Sequence, residues 1–266
     1  MNKKKVFTIL SILCIIGFWL FENFYTPALY TAPAAKGSTT DIASYLKASS
    51  TTGDVVSHNH YTLSYNEQYE QAEWVAYVLK KEHLTYDDRK RPYFIEDPKV
   101  KTKSADWRNY KGSGFDRGHL CPAGDRRFSE YAYNETFYTS NITPQKNDFN
   151  AGIWNKLEIQ VRTWAKKEKE IYVITGGILE KGLEEIGEED VAVPNYFYKI
   201  VAKGTPNNLK VAAFLFPHKE STKSLVSFMV SVDRIEKLTG IDFFENLAEE
   251  RETILEKKVD TNSWKF

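Results

Sequence analysis

Alternation of apolar and polar positions marks the first strand in the chain. In "HYTLSYN", Tyr61, Leu63 and Tyr65 recur at every second residue, the spacing of a half-buried strand. "EWVAYVL", Glu73 to Leu79, is apolar without a clear period and fits a strand or a helix. "IYVITGGIL", "YFYKIVAK" and "LKVAAFLF" are short apolar runs punctuated by Gly, Pro or Asn, and they predict three strands. Two other stretches predict helices. One starts near Asn150 and runs through "AGIWNKLEIQVRTWAKKEK", where Ile153, Leu157, Val161 and Trp164 form an apolar stripe that faces a core. The other is "SVDRIEKLTG", with Ser231 as N-cap and Gly240 just past the end. Several strands with few helices predict an α+β domain.

The N-terminus follows a different pattern. "MNKKK" precedes an apolar run from Val6 to Phe21, and a positive start before an apolar core predicts an export signal. The run is slightly shorter than the roughly 20 apolar residues of a comfortable membrane span. Two outcomes stay open for residues 1–25: a signal peptide cleaved near "APA" at 32–34, or an uncleaved membrane anchor with its lysines left inside. "TPALYTAPAAKGSTT" and "KASSTTGD" have the composition of a flexible linker, expected over residues 26–57. The folded domain is expected over residues 58–266.

Composition narrows the function classes. The 266 residues are 42% hydrophobic, enough for a single large domain. Thirty-six Lys and Arg balance 36 Asp and Glu, so a strongly basic coat for nucleic acid is not indicated. A local basic patch is compatible with this balance, and Lys and Arg are dense from Lys80 to Arg127. The acidic run "LEEIGEED" reads as a solvated loop. Cys14 and Cys121 are the two cysteines, and Cys14 lies in the targeting segment. The domain then has one thiol, with no internal disulfide and no cysteine zinc cluster. Cys121 is expected to be a buried, inert thiol.

Chemistry-bearing residues gather in three places. "GFDRGHLCPAGD", Gly114 to Asp125, sets His119 just after Asp116 and Arg117. Imidazole titrates near neutrality and can take a proton from water. His58, His60, His83 and His218 lack such neighbours and read as structural or exposed. "SNITPQKNDFN", Ser140 to Asn150, is rich in amides: Asn141, Gln145, Asn147 and Asn150. It reads either as a turn capped by Asp148 or Asn150, or as a source of hard neutral oxygens that suit Mg²⁺. Downstream, Asn150, Trp154, Glu158 and Arg162 are spaced by four, each step advancing about 40° around an α-helix. Glu158 and Arg162 form either a surface ion pair worth a few tenths of a kcal/mol or part of a site. A histidine base, a metal ion and arginines are the parts that phosphodiester hydrolysis needs.

These segments together resemble the DNA/RNA non-specific endonucleases, the endonuclease G-like ββα-metal (His-Me finger) nucleases. The resemblance runs from roughly His58 to Leu247. It includes "WVAY", "FIEDP", "YKGSGFDRGHLCPAGD", "SNITPQKNDFNAGIWNKLE" and "IEKLTGIDFF". It implies a mixed, mainly antiparallel sheet core carrying a ββα-metal catalytic motif. It also implies hydrolysis of DNA and RNA to 5′-phosphate products with little regard for the sugar. His119 would be the general base and Asn150 the direct protein ligand of Mg²⁺, with Mn²⁺ or another divalent ion as alternatives. Glu158 would hold metal-bound water, and Arg162 would meet the phosphate. Asn141 and Gln145 would brace the site. Asp116 and Arg117 would shape the strand end, with Arg117 also meeting substrate. An upstream arginine would bind phosphate, with Arg91 favoured over Arg89. Contacts of this kind go mainly to phosphate, so weak base preference and strong salt sensitivity should follow.

Two other classes were weighed against this one. A nucleic-acid-binding protein on the same fold without catalysis would be expected to lose His119, Asn150 or Glu158, and the chain keeps all three. A structural envelope domain has no account of the histidine, the amides and the helix stripe occurring together. The N-terminal pattern leads to an expected location outside the cytoplasm: exported, secreted or anchored to the cell envelope, in a bacterium. The Asn-x-Thr triplets at Asn134 and Asn141 read as incidental.

Overall fold

The computed structural model describes residues 3–25, 27, 30, 48 and 52–266. The proposed cleavage site at 32–34 and most of the expected linker lie outside the described residues. Helix α1, Lys3–Phe24, is long and apolar enough to cross a membrane by length and composition. Phe7, Leu13, Phe18 and Trp19 on it are exposed.

Eleven strands are described: β1 (Asp54–Ser57), β2 (Thr62–Asn66), β3 (Gln71–Lys80), β4 (Asp116–His119), β5 (Ile142–Gln145), β6 (Glu170–Gly177), β7 (Glu184–Ile186), β8 (Val191–Val193), β9 (Tyr196–Lys203), β10 (Lys210–Pro217) and β11 (Met229–Val230). Seven of them form one sheet in the order β1-β2-β3-β6-β9-β10-β11, and every ladder in it is antiparallel. Strand β1 lies inside the segment expected to be linker. It pairs with β2 and buries Val56 while Val55 stays exposed. A four-residue edge strand with one buried side chain leaves too short a pattern to read.

Both faces of the sheet are covered, which explains why "EWVAYVL" shows no period. Val75, Tyr77 and Leu79 enter the core on one side, and Trp74 and Ala76 enter the core on the other. A strand buried on both faces needs apolar side chains at every position. Besides α1 the principal helices are α2 (Glu130–Glu135), α3 (Asn155–Glu168), α4 (Val232–Thr239) and α5 (Glu249–Lys257). Leu157, Val161 and Trp164 of α3 cover the first face, as their spacing predicts. Val232 and Ile235 of α4 cover the second, with Phe243 and Phe244. Helix α4 keeps its expected ends: Ser231 Oγ accepts from the Arg234 N–H, and Gly240 is left-handed with φ 71°. A third, aromatic cluster of Phe94, Tyr110, Phe137, Tyr138 and Ile142 surrounds the β4–β5 hairpin.

Candidate active site

The motif Asp116-Arg117-Gly118-His119 is the whole of β4, and it pairs with β5 so that Asp116 faces Gln145 and His119 faces Ile142. Gly118 is required by packing. A Cβ there would lie 2.2 Å from Oε1 of the fully buried Gln145, which rests across the strand. Asn141 clamps the chain immediately after His119. Its Oδ1 accepts from the Cys121 N–H at 2.8 Å, and its Nδ2 donates to the carbonyls of Cys121 (3.0 Å) and Thr136 (2.9 Å). Asn141 therefore ties down the chain that follows β4, whereas the buried Gln145 side chain packs over Gly118 with no side-chain hydrogen bond among the described residues. Cys121 is buried, and burial pushes its thiol up to about 12, so it packs as an unreactive residue.

His119 stands between two aromatic rings, Phe94 at 5.7 Å and Phe137 at 4.9 Å between centroids. Its Nε2 is buried with no hydrogen-bond partner among the described residues, although the residue as a whole keeps some exposure. Burial pushes its pKa down to about 3, and the Arg91 charge adds to the effect. The ring is therefore neutral at pH 7. Arg91 lies over Phe94 (5.3 Å) and Phe137 (5.8 Å), and Arg117 lies over Phe94 (5.0 Å) and Trp107 (5.8 Å). Arg89 is committed elsewhere: its Nε donates to the Arg127 carbonyl at 2.9 Å and it pairs with Asp87 at 3.0 Å. The fold thus brings Arg91 and Arg117, but not Arg89, onto the aromatic wall of the histidine.

The segment after β5 departs from the expected plain helix. A single helical turn, Asn147–Phe149, runs into a π-turn, Asn150–Trp154, before α3 begins. Gly152 has φ −94° and ψ −112°, outside helical geometry. The cause is Glu220, whose Oε2 accepts from the Ile153 N–H at 2.9 Å and lies where a Gly152 Cβ would stand. A side chain inserted into the helical ladder produces such a kink. Neither Asp148 nor Asn150 caps a helix in the expected way. Trp154, expected on the stripe with Asn150, is fully buried instead and packs on Phe149 and Phe197.

Freed from a capping role, Asn150 turns toward β4, and its Nδ2 donates to Asp116 Oδ2 at 3.0 Å, alongside Asn147 Nδ2 at the same distance. An ionised carboxylate only accepts, so the amide nitrogen must face Asp116. The Asn150 amide oxygen is left for another partner. Glu158, on α3, adds a carboxylate whose described contact is Arg162 Nη2 at 3.4 Å. Burial raises its pKa, while Lys199 and Arg162 work against the rise. The Asn150 amide oxygen and the Glu158 carboxylate are hard oxygen donors, the chemistry that suits a divalent cation.

Arg162 bridges Glu158 and Asp125, with its Nε 3.4 Å from Asp125 Oδ1. The expected i,i+4 pair is present, but it is part-buried and shared with a second, fully buried carboxylate. Three residues around the site were not singled out from the sequence: Asp125, Phe94 and Lys199. Lys199 left a legible trace, as the one polar residue within the apolar "FYKIVA". Asp125 and Phe94 left none beyond belonging to quoted motifs.

Residues 38–250 match the DNA/RNA non-specific endonuclease family. Mitochondrial nuclease EXOG of Mus musculus is 35% identical over 222 residues, which is 77% of this chain. The chain belongs to the DNA/RNA non-specific endonuclease family. It spans 60% of the mouse relative's own length. Mitochondrial endonuclease G of Homo sapiens is 32% identical over 209 residues, covering 72% of this chain and 69% of that one. The crystal structure of the EndoG/EndoGI complex superposes with a TM-score of 0.70 at 30% identity, covering 76% of this chain and 89% of that one. The ββα-metal fold expected from the family resemblance is therefore present, with β4, β5 and α3 as its parts. The relatives correct the expected location. Proteins named for mitochondria in eukaryotes stand where an exported, secreted or envelope-anchored bacterial protein was expected.

Proposed function

We propose that this protein is a metal-dependent endonuclease that hydrolyses phosphodiester bonds within DNA and RNA and leaves 5′-phosphate ends. One observation carries the reading. The four-residue strand β4 ends in a neutral, aromatic-walled His119 and begins with Asp116, which orients the Asn150 amide. A proton acceptor and a hard oxygen ligand are thus held by one rigid element. Membership of a family described as DNA/RNA non-specific endonucleases supports the substrate class.

In this reading His119 takes the proton of the attacking water. An approaching phosphate anion favours the imidazolium that results. Asn150 Oδ1 would be the direct protein ligand of Mg²⁺, or of Mn²⁺ or another divalent ion in its place, and Glu158 would hold metal-bound water. When bound, the ion supplies positive charge against the phosphate and the leaving oxygen. Arg162 offers its guanidinium to the developing phosphate charge, and Arg91 and Arg117 hold the backbone from the aromatic wall. Contacts to phosphate carry little sequence information, so cleavage is non-specific. Residues 1–25 form a separate N-terminal segment carried by α1, either a cleaved signal or a membrane anchor, and the nuclease domain takes in residues ahead of β1, since Ala48 bridges Phe243 and the family match begins at residue 38.

The deciding experiment incubates purified protein with plasmid DNA and with RNA, with Mg²⁺ or with a chelator. Cleavage of both, abolished by the chelator, is expected. Retention of either nucleic acid on the protein without cleavage at any Mg²⁺ or salt concentration would instead establish a binding protein.

A further inference from the structure

Lys199 occupies the middle of β9, where Phe197, Tyr198, Ile200, Val201 and Ala202 are all buried. Its side chain is fully buried, on the sheet face that α3 covers, two residues from Phe197 and Val201 of that core. Its Nζ has neither a hydrogen-bond partner nor a direct ion pair among the described residues. What it does meet is the Trp154 ring, 4.6 Å from Nζ to the centroid. Trp154 lies one helical turn before Glu158.

An ammonium group taken from water without hydrogen bonds is costly, and an apolar residue of similar size would be cheaper at this position. Stability therefore gives no reason for a lysine here. The surrounding charges give one. Lys199 Nζ, over Trp154 and beneath α3, lies within electrostatic reach of Glu158 and Asp125, the same two carboxylates that Arg162 bridges. With Arg162 alone, the part-buried Glu158 and the fully buried Asp125 would compete for one guanidinium and hold it away from substrate.

We propose that Lys199 is a positioning residue, a second cation beneath α3 that holds Glu158 and Asp125 in place while Arg162 turns to the substrate phosphate. The inference rests on the hydrolytic reading above. It assigns Lys199 no contact with substrate. Its effect passes through Glu158.

The test uses the full chain carrying Lys199→Met. The melting temperature, taken in chelator without substrate, is expected to stay level or rise. The value of kcat is expected to fall about 10- to 100-fold, the usual effect of removing a partner that orients a ligand. Placed on Glu158→Gln, Lys199→Met should add nothing further. A wild-type kcat in Lys199→Met, or losses that multiply in the double variant, would overturn the proposal. If Lys199→Met does not fold, Lys199→Arg and Lys199→Gln decide the matter. The charged variant should keep activity that the uncharged one loses, and equal activity in both sinks the idea. An inactive wild type would refute the nuclease reading itself, whereas an active wild type with an equally active Lys199→Met would refute only the role of Lys199.

Discussion

Asn150 Nδ2 donates to the carboxylate of Asp116 at 3.0 Å, joining the π-turn before α3 to the first residue of β4. The bond turns the Asn150 amide oxygen away from Asp116 and, in the proposed mechanism, leaves it for the cation. Asp116→Ala should therefore raise the Mg²⁺ concentration for half-maximal cleavage about 10- to 100-fold. Asp116→Asn can still accept through its amide oxygen and should show a smaller rise. Mg²⁺ titrations of plasmid cleavage compare the two, and an unchanged requirement in Asp116→Ala would disconnect Asp116 from metal binding.

His119→Ala should lower the hydrolysis rate roughly 10²- to 10⁴-fold, with the fold retained by circular dichroism. Asn150→Ala should weaken the dependence on metal. Plasmid cut by purified His119→Ala at the wild-type rate would remove the base assignment. Because burial holds the imidazole neutral, the acid limb of kcat/KM for the wild type should lie below the ordinary histidine range.

Gly118→Ala would press a methyl group to 2.2 Å from Gln145 Oε1 inside the hairpin. Overpacking of this kind costs about 1–3 kcal/mol. Gln145→Ala in the same chain should return part of that loss. Urea denaturation of both variants measures it, and a Gly118→Ala protein as stable as wild type would show that the hairpin yields.

Two buried histidines should tilt stability with pH in opposite directions. His218 accepts from the Lys146 N–H through Nε2 at 2.7 Å and contacts the Pro194 carbonyl through Nδ1 at 2.8 Å, an arrangement that needs a neutral ring. Burial lowers its pKa from 6.5 to about 4. Its contribution is present above pH 6.5 and is lost as pH falls toward 4, a span worth about 3 kcal/mol. For His58, burial is outweighed by the hydrogen bond to Asp97 and the nearby Glu135 carboxylate, and its pKa is raised. That contribution is full below 6.5 and is lost as pH rises through the raised value. His218→Gln should flatten the acid limb of a urea stability profile, and His58→Gln should remove stability chiefly at lower pH. A His218→Gln protein with the wild-type acid slope would contradict the first assignment.

Much of this molecule is legible without coordinates because the relevant forces are local. The ends of α4 depend on Ser231 and Gly240 and on backbone groups within a few residues, and they lie where their types place them. The core side of α3 follows from helical periodicity, since Leu157, Val161 and Trp164 are all buried. The succession of strands, with few helices between them, determines the α+β class. Burial of the sheet on both faces obscures the strand period of β3, so that element stays ambiguous until its two neighbours are known.

Contacts between segments distant in sequence decide the rest. Glu220, 67 residues beyond Ile153, converts an expected helix start into a π-turn, and so turns Trp154 into the core and Asn150 toward Asp116. The sequence resemblance favours Arg91 over Arg89, and the aromatic wall of Phe94 and Phe137 separates them in space. Lys199 is one odd letter in an apolar strand until β9 is laid beneath α3. The α+β class, the order of the chemistry-bearing groups and the apolar face of α3 follow from sterics and periodicity over a few residues. Tertiary structure alone decided which way each of those groups points, because the energy of a buried charge or amide depends on partners that only folding brings within reach.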